Sequence, residues 1–588
     1  MDTPTARRLL LLAALPALAA CLRPGDYAED PPITSEVDDW RDEVIYQLIT
    51  DRFTNGDPSN DFNRTSDVSN LNRHHGGDWR GIIDNVDYLV GLGVTTIWIS
   101  PIVANVEEDA GVAGYHGYWT QDFRSVNPHM GDLADLREMV DVMHENGIKV
   151  LVDIVANHVG QAFYYDINQN GQADIQTWYA TDGTTELDIV TEWDPRFDPR
   201  RIQSFSSLGE AGDAPIGWVY MPEIGRMPPE PPEFQNPDWY HRMGRVTDWS
   251  DDDQVRLADF PGGLKDLATE NPNVRRALIT VFQDWITRTN IDGYRIDTVK
   301  HVEHDFWAEF SPAIREHAAR LGKENFLLMG EVFDGDDAKV GSYTQRDMLD
   351  TAVDFAAKYQ VFDEVFKRGA PPARVAALHA ARQANWGAEP QPGGIGLAPR
   401  EIPLGFLDNH DVARFLHGEA DDGALRAALV YLLLRDGMPV LYYGTEQGFA
   451  GGNDPANREP LLASGYNQNH PLYQWISAIL SIRADRDALR RGDLTFRWAS
   501  EAGDGAEDAG LLAIERATAD DRALVVINAH ASQTSRTAGG MVTGFPPGTR
   551  LVDLLPSDVQ RSYTVGGDGS ILVELRPREA VVLVADTP

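Results

Sequence analysis

The sequence predicts an α/β protein: a (β/α)8 TIM barrel with a domain inserted after the third strand and an all-β sandwich domain at the C-terminus. Two observations predict the barrel. Short, near-continuous apolar segments alternate with amphipathic helical patterns, as in a parallel sheet covered by helices. Three of those segments end in a carboxylate: Asp297 in IDGYRID, Glu331 in FLLMGEVF and Asp411 in GFLDNHD. A charge at the end of a buried strand is costly without partners or a role, and successive strand ends are where a barrel assembles its site. A third observation predicts the C-terminal domain: from about residue 493 the helical patterns give way to short β-like runs separated by Gly, Asp and Pro.

The 588 residues suggest two or three domains, and a 42% hydrophobic fraction with 24% charged residues is that of a globular chain. The net charge of −40 argues against a nucleic-acid partner, whose phosphates need a basic surface. Arg7 and Arg8 precede an apolar run from Leu9 to Ala20, too short for a mature membrane span and suited to a signal peptide. The run ends at Cys21, the only cysteine, so no internal disulfide is expected. Leu18-Ala19-Ala20-Cys21 resembles a bacterial lipobox, which implies export with lipid anchoring at Cys21; an ordinary secretory signal over residues 1–21 is the alternative. Leu22 lacks the aspartate associated with inner-membrane retention, so the outer membrane is expected in a Gram-negative cell. Residues 22–38, Pro-rich and acidic, read as a tether.

Barrel strands are expected at 43–50, 94–100, 148–155, 291–297, 326–333, 350–355, 402–408 and 438–443. Helices are expected at 132–146, 272–289, 304–322, 423–435 and 469–485. The barrel thus occupies 39–158 and 266–490, and the β domain 491–588. The connection at 159–265 is far longer than an ordinary βα loop and rich in Trp, Tyr, Pro and Asp, so it reads as a small domain over the barrel mouth.

GVTTIWISP (93–101), YHGYW (115–119), DIVANH (153–158), LKDL (264–267), GYRIDTVKH (293–301), GEVFDG (330–335) and FLDNHD (406–411) stand in the order of the α-amylase family, glycoside hydrolase family 13, which the chain resembles over nearly all of 38–588. Arg295 and Asp297 are two apart, so on a strand they face the same way, and the arginine can hold the carboxylate ionised and oriented. The resemblance implies Asp297 as nucleophile and Glu331 as acid/base, whose apolar setting should keep it protonated. It implies Asp411 as the carboxylate that grips sugar hydroxyls and stabilises the oxocarbenium-like transition state. His158 and His410 resemble sugar-binding histidines, and Tyr118 an aromatic platform under the sugar ring. His116 and Trp119 are expected nearby, although Trp119 reads equally as core packing. Lys300 and His301 resemble leaving-group-side residues.

Calcium is the implied cofactor. Asn157, Asp266 and the carbonyl of His301 resemble the family's site between barrel and inserted domain. NGDPSND (55–61) and GGDW (76–79) resemble an additional calcium site of the cyclodextrin-forming branch, which implies Asn55, Asp57, Asn60, Asp61, the Gly76 carbonyl and Asp78 as ligands. DINQNGQAD places Asp166, Asn168, Asn170 and Asp174 at EF-hand-like spacing, but Thr177 stands where the bidentate glutamate belongs; a weaker calcium loop or a plain turn follows.

The expected activity is retaining hydrolysis of α-1,4 bonds in starch, glycogen or maltodextrin by a monomer. Transglycosylation of the cyclodextrin-forming type is the first alternative. Val332 after the acid/base, and a single C-terminal β domain, argue against it. A non-catalytic glycan-binding lipoprotein is the second, disfavoured because all three carboxylates are present.

Overall fold

The computed structural model describes residues 37–586 except 110, 167–168, 170, 172–174, 180–185, 191–203, 209–212 and 558–560. Cys21, most of the expected tether, and Asn168, Asn170 and Asp174 lie outside the described residues.

Eight parallel strands form one sheet: β1 (Ile45–Leu48), β2 (Thr96–Ile99), β3 (Lys149–Ile154), β4 (Gly293–Ile296), β5 (Leu327–Gly330), β6 (Thr351–Ala352), β7 (Leu404–Phe406) and β8 (Met438–Tyr442). Neighbours in the sheet follow chain order, with β1 also pairing β8. A bridge between Val353 and Leu404, and a 2.9 Å bond from Asp354 N to Leu404 O, join β6 to β7 and close the barrel.

Period-two alternation divides each strand between two cores. Ile45, Trp98, Leu151, Leu327, Met329, Leu404, Phe406, Met438 and Val440 fill the barrel interior. Tyr46, Ile97, Val150, Val152, Tyr294, Ile296 and Leu328 face outward against the helices. The same alternation turns Asp153, Arg295, Asp297 and Glu331 inward, in phase with Leu151 and Met329.

The helical layer includes α1 (Leu133–Glu145), α2 (Pro272–Thr289), α3 (His304–Arg320), α4 (Ala373–Asn385), α5 (Asp422–Leu434) and α6 (Pro471–Ala484). Their ends are written in the sequence. Asp132 and Asp135 form a capping box on α1. Asn271 caps α2 ahead of Pro272, and left-handed Asn290 ends it.

The strands are shorter than the apolar runs suggest. The expected strand 402–408 stops at Phe406 because Asp408 turns the chain: its carboxylate accepts from Phe415 N at 2.7 Å and from Thr445 Oγ1 at 3.2 Å. Asp411 therefore sits in the following loop rather than at the strand end.

Within 159–265, Phe163–Tyr165 pairs with Ile216–Trp218, and Ile175–Tyr179 with Glu186–Val190. At the C-terminus, β9 (Asp493–Ala499), β10 (Leu511–Ala517), β11 (Arg522–Asn528), β12 (Arg550–Asp553), β13 (Ser562–Thr564) and β14 (Ala580–Ala585) form an antiparallel sheet in the order β9-β10-β11-β14-β12-β13. One face, with Leu511, Leu524 and Leu583, makes its own core. The other, with Leu512, Val525 and Val582, packs into the helix-side cluster of the barrel. Arg516 ties the two together by donating to Leu434 O at 3.1 Å and Gly492 O at 2.8 Å.

Gly437 leads into β8 with φ of 88°, and a Cβ there would stand 2.2 Å from Pro403 O. Gly437→Ala combines left-handed strain with a backbone clash beside the barrel seam. It should destabilise the fold by about 1–3 kcal/mol or more, read as a lowered denaturant midpoint.

Candidate active site

One guanidinium organises the barrel mouth. Arg295 is fully buried; its Nη1 donates to Asp153 at 2.8 and 2.9 Å and to Asp297 Oδ1 at 2.8 Å, while Nη2 lies 2.9 Å from Glu331 Oε1. Thr298 N donates to Glu331 Oε2 at 3.1 Å. The pairing expected of Arg295 and Asp297 is present, but two more carboxyls share the cation. Burial pushes Asp297 well above the ordinary carboxylate range, and the charges of Glu331, Asp153 and Asp411 push the same way against Arg295. Asp153 is pushed up to about 6, again chiefly by burial. Arg295 alone therefore does not keep every carboxyl of the group ionised: the cluster retains a proton that isolated acids would have lost.

Asp411 stands across the mouth, 3.1 Å from His410 Nε2 and 3.6 Å from Arg458 Nη2. With Asp297 and Glu331 it lines a cavity of about 910 Å³. His116, Tyr118, Trp119, His158, Lys300, His301 and His410 line the same cavity, so the structure gathers the residues expected from separate motifs. Trp119 is half-buried, packing edge-on to His116 at 4.6 Å while lining the cavity.

Tyr118 donates to Asp153 Oδ2 at 2.7 Å, and its ring stacks on His410 at 5.2 Å and 4°. Gln47 bonds His410 Nδ1 at 2.6 Å. Burial holds His116 and His410 well below the usual histidine range, His158 at about 4 and His301 at about 3. All four are neutral near pH 7, and each has a ring nitrogen fixed by the protein: His116 Nδ1 by Tyr118 N, His158 Nε2 by Tyr118 O, His301 Nδ1 by Val255 O and His410 Nδ1 by Gln47. Lys300 Nζ donates to Phe333 O at 2.5 Å.

Sequence reasoning missed Asp153 in DIVANH, whose partners Arg295 and Tyr118 come from other segments. It missed Arg458, which donates to His410 O at 3.1 Å and Tyr115 Oη at 3.2 Å from an irregular loop without periodicity. It also missed Trp249 and Phe260 of the insert. Trp249 is 52% exposed at the cavity rim, where its indole offers a stacking face.

The calcium candidates are oxygen-rich. Strand pairing sets His158 opposite Asp266, and Leu267 N donates to Asn157 O at 2.9 Å. Asp266 Oδ1 is buried without a hydrogen bond, and burial pushes this carboxyl up to about 7 even beside His241. An orphaned carboxylate oxygen beside Asn157 fits a hard cation. In the second set, Asn55 Oδ1 and Asn60 Oδ1 are likewise buried and unbonded, and a Cβ on Gly76 would fall 2.3 Å from Asp61 Oδ1. Asp78 accepts from Gly56, Asp57 and Gly81 N, while the Asp57 carboxylate is engaged by Ser59. Asp166 accepts from Gly171 N at 3.0 Å, as in a turn.

The catalytic-domain model of the α-amylases matches residues 47–508. A Paenibacillus polymyxa β/α-amylase is 33% identical over 93% of this chain, which spans 38% of that protein. A Streptomyces lividans α-amylase is 30% identical over 87% of this chain, again with only 56% of its own length covered. Among solved structures, an α-amylase from Geobacillus thermoleovorans complexed with acarbose aligns with a TM-score of 0.68 and 27% identity over 93% of this chain and 99% of that one. A cyclomaltodextrin glucanotransferase with a three-domain ABC distribution aligns with a TM-score of 0.70 and 26% identity, over 92% and 99%.

The neutral histidines carry a pH consequence. Between about 6.5, the value of free imidazole, and about 4, the unfolded chain binds a proton that folded His158 refuses. Stability therefore falls as pH drops through this window, with His158 contributing on the order of 3 kcal/mol. In saturating calcium, the unfolding midpoint of His158→Gln should fall less than that of the parent between pH 6.5 and 4. Equal acid sensitivity contradicts the assignment.

Proposed function

The chain belongs to the α-amylase family, and from that premise we propose that it is a retaining α-glucan hydrolase, cleaving α-1,4 bonds of starch, glycogen or maltodextrin. The observation that carries this reading is the placement of Asp297 and Glu331 on the two terminal nitrogens of one buried guanidinium, facing one cavity. Retention requires a short carboxyl separation, about 5–5.5 Å, and sharing one guanidinium keeps these two close.

Asp297 attacks the anomeric carbon while protonated Glu331 gives its proton to the glycosidic oxygen, and the bond between that carbon and oxygen breaks. A glycosyl ester on Asp297 results. Glu331, now ionised, takes a proton from water; the water oxygen bonds the anomeric carbon and Asp297 leaves as carboxylate. Arg295 orients both carboxyls toward the cavity. Asp411 and the neutral His158 and His410 hold hydroxyls of the distorting sugar, which stacks on Tyr118. Asn157, Asp266 and the His301 carbonyl would hold one calcium, and Asn55, Asn60, Asp61, Asp78 and the Gly76 carbonyl another. Each ion would neutralise buried carboxylate charge and tie loops together. Export with a lipid anchor at Cys21 belongs to the same proposal.

Transglycosylation remains the second reading, since a sugar hydroxyl can replace water in the second step. A three-domain cyclomaltodextrin glucanotransferase among the structural neighbours removes the argument from domain number. Val332 keeps hydrolysis first.

Incubating the protein with starch and calcium, then separating the products, should yield mixed linear maltooligosaccharides early. Cyclic or lengthened products would move the assignment to transglycosylation. Glu331→Gln should lower the hydrolysis rate by about 10²–10⁴-fold with binding retained; unchanged sugar release contradicts the catalytic assignment and favours a binding protein.

A further inference from the structure

We propose that His74, Glu107 and His129 form a structural site for a first-row divalent cation of the zinc type, separate from the sugar cavity and from the oxygen-rich calcium candidates. One ligand atom from each lies within 4.8 Å of the others. His74 Nε2 is 3.7 Å from Glu107 Oε1, and His129 Nε2 is 2.8 Å from Glu107 Oε2. Around a tetrahedral ion with bonds of about 2.0–2.1 Å, ligand atoms stand roughly 3.3–3.5 Å apart. Reaching that geometry takes a closing of the first distance, an opening of the second and a rotation of the imidazole rings.

His74 supplies the independent observation. It is 2% exposed, and its ring nitrogens face only carboxylates, at 3.6 and 3.7 Å, too far for a well-formed hydrogen bond. A buried imidazole otherwise finds partners for both nitrogens. Nε2 points at Glu107, while Nδ1 lies 3.6 Å from Asp51 Oδ1, the place of the carboxylate that orients a metal-bound histidine from behind. Asp51 is itself fixed by the backbone N–H groups of His75 and Gly76. The rings of Phe62, His129 and His74 stack in sequence at 3.7 Å each, so one imidazole must turn out of the stack for both in-plane lone pairs to meet one ion, while Asn63 fixes Glu107 by donating to Oε1 at 2.8 Å.

The donor set decides the metal class. Two imidazoles and one carboxylate suit zinc and its neighbours; calcium takes oxygen ligands. Three protein ligands leave a fourth position for water. The consequence is mechanical. The site joins the loop carrying His74 to Glu107, which leads into the hairpin Glu108–Ala113. Arg73 pairs with Glu108, and Ala113 N bonds Asn72 O at 2.8 Å, in the same seam. Tyr115 to Trp119 follow directly, so an ion here braces the segment that presents the sugar platform.

The test uses the purified protein, stripped with chelator and returned to excess calcium, then titrated with zinc chloride by calorimetry. One zinc per chain is expected, with a rise in the unfolding midpoint. His74→Gln/His129→Gln should weaken binding by more than the roughly 10–100-fold typical of losing an outer partner. X-ray absorption at the zinc edge of the parent protein keeps the proposal falsifiable should that variant fail to fold: a shell with two imidazoles at about 2.0 Å supports it. Absence of one-to-one binding in calcium, undiminished binding by the double variant, or an oxygen-only shell overturns it and leaves a Glu107–His129 pair with His74 stacked beside it.

Discussion

The shared burial of one positive charge among several negative ones is the constraint on which the site depends. Arg295 serves Asp153, Asp297 and Glu331, and none of the four would be stable there alone. The closed barrel makes the grouping inevitable. Strands β3, β4 and β5 are neighbours in register, and the inward-facing Asp153, Asp297 and Glu331 stand at or just past their ends. Chemistry and architecture thus share one cause. The alternation that sends Leu151 and Met329 into the interior sends the charged residues after them to its rim.

This explains why so much was legible in the chain. Asp297 and Arg295 lie two apart on an apolar strand, so their common facing followed from pleat geometry alone. Helix α2 was bounded by its own signals, Asn271 and Pro272 at one end and Asn290 at the other. Where local chemistry overrides pattern, the reading stretched too far: Asp408 bends the chain out of β7 sooner than apolar content suggests. Asp153 obeys the same alternation as Asp297, but its partners come from other strands and no spacing within its own segment announces them.

Contacts that depend on irregular backbone were out of reach. Arg458 meets His410 and Asp411 from a loop with no periodicity, and Trp249 reaches the cavity from the insert. His74, Glu107 and His129 come from three separated segments, with none of the short spacings that mark a metal motif in sequence. Their convergence becomes visible only when the hairpin at 108–113 is laid against the loop before it. Such sites arise from tertiary packing, and sequence periodicity carries no record of them.

We infer that the forked guanidinium, rather than positive charge alone, sets Asp297 and Glu331 in place. Arg295→Lys preserves the charge but cannot reach both Asp297 and Glu331. The direct measurement is steady-state hydrolysis of a soluble maltooligosaccharide by this variant, with its fold verified by circular dichroism. The variant should fold, with kcat lower by roughly 100-fold or more and KM little changed, the signature of lost transition-state positioning. A folded variant with kcat within a few-fold of the parent would contradict it.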